Sequence, residues 1–251
     1  MLNSIALQLT KISLESAPPE IGMIVYKTIY HVSGICDPFR EIKKTCTSRL
    51  LSLYPDLKKK ITSSDDPLYA ALKFAAFGNA IDLGADPDFD LEKELADLYT
   101  KDFDSCEYDA FKKALNNAKR ILYIADNAGE TVFDRLLIEQ LKKPVKYAVR
   151  SRPIINDATI EDADDAGLSE VAEVVSSGCD APGTILELCS GEFKKIFAEV
   201  DMIISKGQGN YETLSNQKRP IFFLLKVKCP VIARHIDIRA ESIILISSSA
   251  A

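Results

Sequence analysis

Histidine is nearly missing from this chain: its 251 residues include only His31 and His235, and tryptophan is absent altogether. A His-rich zinc site is thereby excluded, and a Ser-His-Asp or Cys-His catalytic arrangement would have to use one of these two. His235 lies in Cys229-Pro-Val-Ile-Ala-Arg-His-Ile-Asp237, whose first half has the texture of a strand, and is read as a structural histidine. Cys-x-x-Cys spacing is missing too, among Cys36, Cys46, Cys106, Cys179, Cys189 and Cys229. The N-terminus shows no charged region leading into an apolar one, so no signal peptide is expected and the cysteines read as reduced cytosolic thiols. No apolar run is long enough to cross a bilayer, which argues against a membrane partner. Basic excess is lacking: the net charge of −6 argues against a nucleic-acid backbone as partner. There is no internal repeat and no low-complexity tract.

What is present suffices for a packed core, at 47% hydrophobic and 27% charged residues, in one large or two small domains. Residues 1–118 read as helical throughout. Ile21, Ile24, Val25 and Ile29 repeat at helical spacing. Asp37-Pro38 and Asp66-Pro67 each look like a cap followed by proline at the first helical position. The first of these helices is expected to run through Ile42 toward Leu53, with Pro55 beyond its end. Gly78 and Gly84 interrupt the later part, and Phe89-Asp90 and Tyr108-Asp109 open two more helices. From Arg120 the texture changes. Short apolar runs at 120–125, 144–149, 201–205, 220–226 and 229–233 alternate with helical segments, with further candidate strands at 172–175 and 241–246. That alternation predicts an α/β fold: a Rossmann-like, mostly parallel sheet flanked by helices, behind an N-terminal all-helical domain. The expected division is a helical domain over 1–118 and an α/β domain over 119–251, with a frayed end from Ser247.

Three of the apolar runs end in polar clusters. Asp126-Asn127-Ala-Gly-Glu130 follows the run 120–125 and precedes a helix predicted from Val132, Leu136, Leu137 and Leu141. A carboxylate and a carboxamide there stand where an open α/β sheet binds its ligands, beside a helix N-terminus suited to phosphate, although either residue would also serve as a plain cap. Arg150-Ser-Arg152-Pro-Ile-Ile-Asn156-Asp157 follows the next run and leads to a helix start at Thr159, with Asp162 three residues on as a weak capping box. Arg150 and Arg152 are read either as salt-bridged or as receivers of an anionic substrate. Lys206-Gly-Gln-Gly-Asn210-Tyr-Glu212 is the third cluster, with a point charge and two conformationally free glycines. Parallel connections bring such strand ends to one edge. Oxygen-rich clusters without histidine favour a hard cation such as Mg²⁺ or Mn²⁺. The loop Gly178–Gly183, before a helix expected from Thr184, is either a lid over the same edge or an ordinary connection.

Asp-Asn-Ala-Gly-Glu with a following Phe-Asp, then Arg-Pro-Ile-Ile-x-Asp-Ala-Thr, then Lys-Gly-x-x-Asn-Tyr-Glu resembles the damage-control phosphatases, also called the domain of unknown function 89 or acidic-residue-methyltransferase-like family, closest to its archaeal branch. The resemblance extends to Asp37-Pro-Phe-Arg-Glu-Ile-Lys43, Ser64-Asp-Asp-Pro-Leu68 and Gly78-Asn79-Ala-Ile-Asp82, in the family's order. It implies a phosphatase of small phosphorylated metabolites that uses one divalent cation, Mg²⁺, Mn²⁺, Co²⁺ or Ni²⁺. Asp126, Asn127 and Asp157 match its metal ligands, Asp126 with a catalytic part as well, and Lys206 its phosphate-binding, catalytic lysine. Asn79 and Asp82 match a motif that reaches the site from the helical domain, and Glu130 and Asn210 match further motif positions on the substrate side, where Arg152 is also expected. The archaeal pattern begins with a Cys-Pro-x-Cys-like pair. This chain begins Met1-Leu-Asn-Ser4, so the resemblance carries no metal or redox role to that segment. Two other functions share the fold: a non-catalytic binder of phosphometabolites, and carboxyl methyl transfer from S-adenosylmethionine. The second is disfavoured by the lack of a Gly-x-Gly loop after the first strand.

Overall fold

The structure is a computed structural model, and it describes residues 1–10, 12–13, 15–78 and 101–248. Four helices open the chain: α1 (Leu2–Leu9), α2 (Pro18–Ser33), α3 (Arg40–Thr62) and α4 (Pro67–Gly78). The remainder alternates as β1 (Ser105–Cys106), α5 (Tyr108–Asn117), β2 (Ile121–Ile124), α6 (Thr131–Leu141), β3 (Val145–Val149), α7 (Ile160–Asp165), β4 (Glu173–Ser176), α8 (Gly191–Glu199), β5 (Met202–Lys206), α9 (Gln208–Leu214), β6 (Ile221–Lys226), α10 (Pro230–Ile236) and β7 (Ile243–Ser247).

Among the described residues, seven strands form one sheet in the order β1-β7-β6-β5-β2-β3-β4, with only the β6–β7 pair antiparallel. Both faces are covered. Alternate residues of β2 divide between two cores, Ile121 and Tyr123 packing with α3 to α7, and Leu122 and Ile124 with α2 and α8 to α10. This explains why the strands read as continuous apolar runs and not as alternating ones. From β2 the chain builds outward through β3 and β4, then returns to lay β5 on the other side of β2 and continues to β6 and β7. The carboxyl ends of β2 and β5 therefore form a topological switch point, where α/β sheets bind their ligands.

The mostly parallel sheet with its N-terminal helices matches the expectation. Four local readings are corrected. The region 1–118 is not helical throughout, because Ser105 and Cys106 pair with Ile244 and Leu245 at the sheet edge. Pro55 lies inside α3, not beyond it, and burial of Leu50, Leu57 and Ile61 offsets the backbone hydrogen bond a mid-helix proline removes. The 229–233 run is helical: Pro230 takes the first position, Cys229 caps, and Val231 faces solvent. The helix expected from Thr184 begins at Gly191, where the Ser190 side chain accepts from the Phe193 N–H. Asn79, Asp82, Gly84 and Phe89-Asp90 lie outside the described residues.

Candidate functional site

At the end of β2 the chain passes through Asp126 and Asn127 into a turn of 3₁₀ helix, Ala128–Glu130, and then α6. The segment after β3 runs back beside it. The Ala158 N–H donates to Asp126 O at 2.8 Å and the Ala128 N–H to Asn156 O at 2.8 Å. Asn127 and Asp157 thus stand opposite one another in an isolated antiparallel bridge. The Ala128 N–H, at the helix start whose N-terminus suits a phosphate, is spent on this zipper. From the other side, β5 ends in Lys206 and Gly207. Gly207 has φ 78° and ψ 162°, a conformation essentially reserved for glycine. A Cβ there would stand 1.9 Å from Asp126 Oδ2, so glycine is also what lets the carboxylate lie against the backbone.

Beneath this edge lies a dense polar network. The buried Arg150 donates from Nε to Asp157 Oδ2 at 2.7 Å, from Nη1 to Thr184 Oγ1 at 2.9 Å and from Nη2 to Asn210 Oδ1 at 3.1 Å. Its Nη2 is 3.9 Å from Asp126 Oδ1, so both aspartates face one guanidinium. Asn210 donates to the carbonyls of Ala125 and Lys206 at 2.9 and 2.8 Å, tying the ends of β2 and β5 together. Its oxygen also accepts from Thr184 Oγ1 at 2.8 Å. Asn210 is thus fully engaged inside the protein. Lys206 occupies the carboxyl end of β5 as expected, but its ammonium is buried, donating to Glu130 Oε2 at 2.6 Å and Asp134 Oδ1 at 2.8 Å. Glu130 in turn accepts from Asn127 Nδ2 at 2.8 Å, and Asp134 from the hydroxyls of Tyr123 and Tyr147 at 2.6 and 2.7 Å.

Four carboxylates, Asp126, Glu130, Asp134 and Asp157, form ion pairs with Arg150 and Lys206, and Lys228 and Lys43 also act on Asp126 and Asp157. Burial, then Glu130 and Asp157, push the Asp126 carboxyl up to about 8. Burial also holds Asp134 and Asp157 above the usual range, with Lys206 and Arg150 pulling each back. Burial works against the Lys206 charge, but Asp134 and Glu130 reverse it and keep the ammonium protonated. Among the described residues, no group of three or more His, Cys, Asp or Glu side chains is arranged as a metal site. Asp126, Asn127 and Asp157 are a different donor set, two carboxylates and a carboxamide. Oxygen donors of this kind suit a hard divalent cation.

Arg152 is exposed. It lines a cleft of about 860 Å³ between α2 and the loops after β3 and β4, with Tyr26, Lys27, His31, Ile155 and Asp180 also on its walls. Asn79 and Asp82 are outside the described residues, though Gly78 ends α4 against Phe133, where a Cβ would come within 2.7 Å of that ring. His235 accepts or donates at 3.0 Å to the Tyr211 hydroxyl, in keeping with the structural reading. Asp134 enters the sequence reading only as the Asp of the Phe-Asp motif and Thr184 only as an expected helix start, and neither is given a place in the site there. Tyr123 and Tyr147 were the available signal for Asp134: hydroxyls in the middle of buried strands need a partner. Nothing local marks Thr184, which reaches Arg150 only through the fold.

A family model described as the damage-control phosphatase ARMT1-like domain matches residues 1–244. A protein of Pyrococcus horikoshii named damage-control phosphatase is 40% identical over 236 residues, covering 89% of this chain and 79% of its own. One of the same name from Archaeoglobus fulgidus is 34% identical over 228 residues, covering 88% and 79%. An uncharacterized protein of Methanocaldococcus jannaschii is 38% identical over 241 residues, covering 89% and 78%. The crystal structure of a domain-of-unknown-function-89 protein from Pyrococcus horikoshii superposes with a TM-score of 0.88 at 34% identity, covering 97% of this chain and 87% of that one. With a sheet whose switch point gathers Asp126, Asn127, Asp157 and Lys206, and a family match over nearly its whole length, this chain belongs to the damage-control phosphatase ARMT1-like family.

Proposed function

We propose that the protein is a metal-dependent phosphatase hydrolysing small phosphorylated metabolites at the carboxyl edge between β2, β3 and β5, in a cleft that the N-terminal helices help to enclose. The observation that carries this reading is the meeting of Asp126, Asn127 and Asp157 on two zipped segments, over a buried network of ion pairs. These three would hold one divalent cation, Mg²⁺, Mn²⁺, Co²⁺ or Ni²⁺. Bound there, the cation supplies Lewis acidity toward a phosphoryl oxygen and acidifies water.

The chain's own residues have separable tasks. Glu130 engages the Asn127 Nδ2, which leaves the carboxamide oxygen to act as the ligating atom. Lys206 holds Glu130, and its charge offsets both Glu130 and Asp134. A phosphate reaching Lys206 would compete with those two carboxylates, so its proposed role is first to order the site and second to stabilise transferring charge. Arg150 holds Asp157 in place and limits repulsion between Asp157 and Asp126. Carboxylates held in this way have little freedom to attack phosphorus, which favours water as nucleophile over an aspartyl-phosphate route. Asn210 fixes the two strand ends. Arg152, on a neighbouring cleft whose walls do not include Asp126, Asn127, Asp157 or Lys206, is the proposed contact for the anionic or polar remainder of the metabolite, with Asn79 and Asp82 as further substrate contacts on the strength of the family pattern.

The test is phosphate release from a panel of phosphomonoesters by metal-stripped protein supplemented in turn with Mg²⁺, Mn²⁺, Co²⁺ and Ni²⁺. Release with at least one metal is expected, and Asp126→Ala should abolish it while keeping a cooperative melt. Binding of phosphomonoesters without release under any metal would replace the phosphatase with a non-catalytic binder.

A further inference from the structure

We infer that Lys43 is a positioning residue, which ties the loop presenting Asp157 to the N-terminal helices. Its functional consequence rests on the phosphatase reading above. Lys43 closes the segment Asp37-Pro-Phe-Arg-Glu-Ile-Lys43, to which the chemistry so far gives no task.

Lys43 sits on α3 and is only 3% exposed. A lysine ammonium is not buried without partners, because desolvation costs too much. Its Nζ lies 2.8 Å from Asp37 Oδ2, in the connection between α2 and α3, and 2.8 Å from Asp162 Oδ2, on α7. That same Asp162 oxygen accepts the Thr159 N–H at 2.9 Å and the Thr159 hydroxyl at 2.6 Å. Thr159 is the N-cap of α7 and stands two residues after Asp157. The path from Lys43 to Asp157 therefore runs through one carboxylate, one cap and a single intervening residue, Ala158.

The loop needs such an anchor. Ile155 has φ 48°, in the left-handed region that a β-branched side chain resists. A strained residue persists only where its surroundings over-determine it. Arg150 secures Asp157 from within the sheet, and Lys43 secures the far end of the segment through Asp162. Arg40 and Glu161, on the same two helices, pair at 2.7 Å but are each 56% exposed. The exposed pair provides a control: it bridges the same elements without touching the Thr159 cap.

The experiment compares Lys43→Met, Lys43→Arg, Asp162→Asn and Arg40→Ala with the unsubstituted protein. Without added metal, hydrogen–deuterium exchange is followed in peptides covering 150–159 and 202–206. Lys43→Met should speed exchange of 150–159 by about tenfold or more and leave 202–206 unchanged. Lys43→Arg should restore most of the protection, Asp162→Asn should show a smaller rise, and Arg40→Ala none. Mn²⁺ affinity measured by calorimetry should weaken roughly 10–100-fold in Lys43→Met, the range for loss of residues that orient ligands, with kcat falling and KM for a phosphomonoester little changed. Unchanged exchange at 150–159, or a uniform rise across both regions, would overturn the positioning role. If Lys43→Met fails to fold, Asp162→Asn carries the same decision. Faster exchange at 150–159 together with no Mn²⁺ binding or turnover in the unsubstituted protein would leave the anchor standing and sink the phosphatase reading instead.

Discussion

The upper and lower halves of the site each pair two carboxylates with one cation, but they differ in how closely those charges are met and in how far water reaches them. Below, Lys206, Glu130, Asp134, Tyr123 and Tyr147 are fully buried and every charge has a named partner within 2.8 Å. Above, Asp126 and Asn127 are partly open to solvent, and Asp126, its carboxyl pushed up to about 8, lies 3.9 Å from the Arg150 guanidinium. A satisfied buried network confers rigidity and a unique arrangement, whereas a carboxyl strained by burial and by like-charged neighbours creates demand for a cation. The difference teaches which residues are framework and which are reactive: Lys206, the lysine the sequence made look most like a phosphate contact, belongs structurally to the framework.

The largest expected effect comes from breaking the lower half. Lys206→Met would leave Glu130 and Asp134 buried without their cation, at a cost of about 3–5 kcal/mol. Urea unfolding at neutral pH would show it, and a loss below about 1 kcal/mol would mean that the network is not what holds this edge. The upper half is probed by adding a cation. Mn²⁺ at a hundred times its dissociation constant should stabilise the protein by about 2.7 kcal/mol, and Asp126→Asn should remove most of that gain while changing metal-free stability far less than Lys206→Met. Equal stabilisation of both proteins in a thermal melt would place the cation elsewhere. At the boundary between the halves, Gly207→Ala should cost about 1–3 kcal/mol from backbone strain alone. Displacement of Asp126 should add a loss of Mn²⁺ affinity, so a variant with normal stability and affinity would refute the close packing of that carboxylate on the turn. The smallest effect is expected from Arg40→Ala, which removes only a solvent-screened pair, and a urea midpoint clearly below that of the unsubstituted protein would contradict it.

The strands were legible wherever burial on both faces demanded unbroken apolar runs, as at 120–125, 144–149 and 220–226. The same signal misread 229–233, because five apolar residues suit either a buried strand or a short helix, and Pro230 decided it by fitting the first helical turn. Pro55 misled in the other direction. Its cost to α3 is local, and the packing that offsets it, from Leu50, Leu57 and Ile61, is invisible until the helix is docked. The two-residue strand Ser105–Cys106 was beyond any periodic reading, since only its partner β7 makes it a strand.

For the site, sequence by itself determined the chemistry available: oxygen donors without histidine, glycine where a backbone must take φ 78°, and polar residues at three strand ends. The tertiary structure alone decided what those groups do to one another. Strand order brought β2 beside β5, so Asp126 came to rest on Gly207 and Lys206 came within reach of Glu130 and Asp134, 76 and 72 positions away in the chain. Side-chain identity is a local property, but desolvation, charge balance and hydrogen-bond partnership depend on distances that only chain topology sets. For that reason a lysine and four carboxylates could be counted in the sequence, while their division into framework and reactive edge could be read only from the fold.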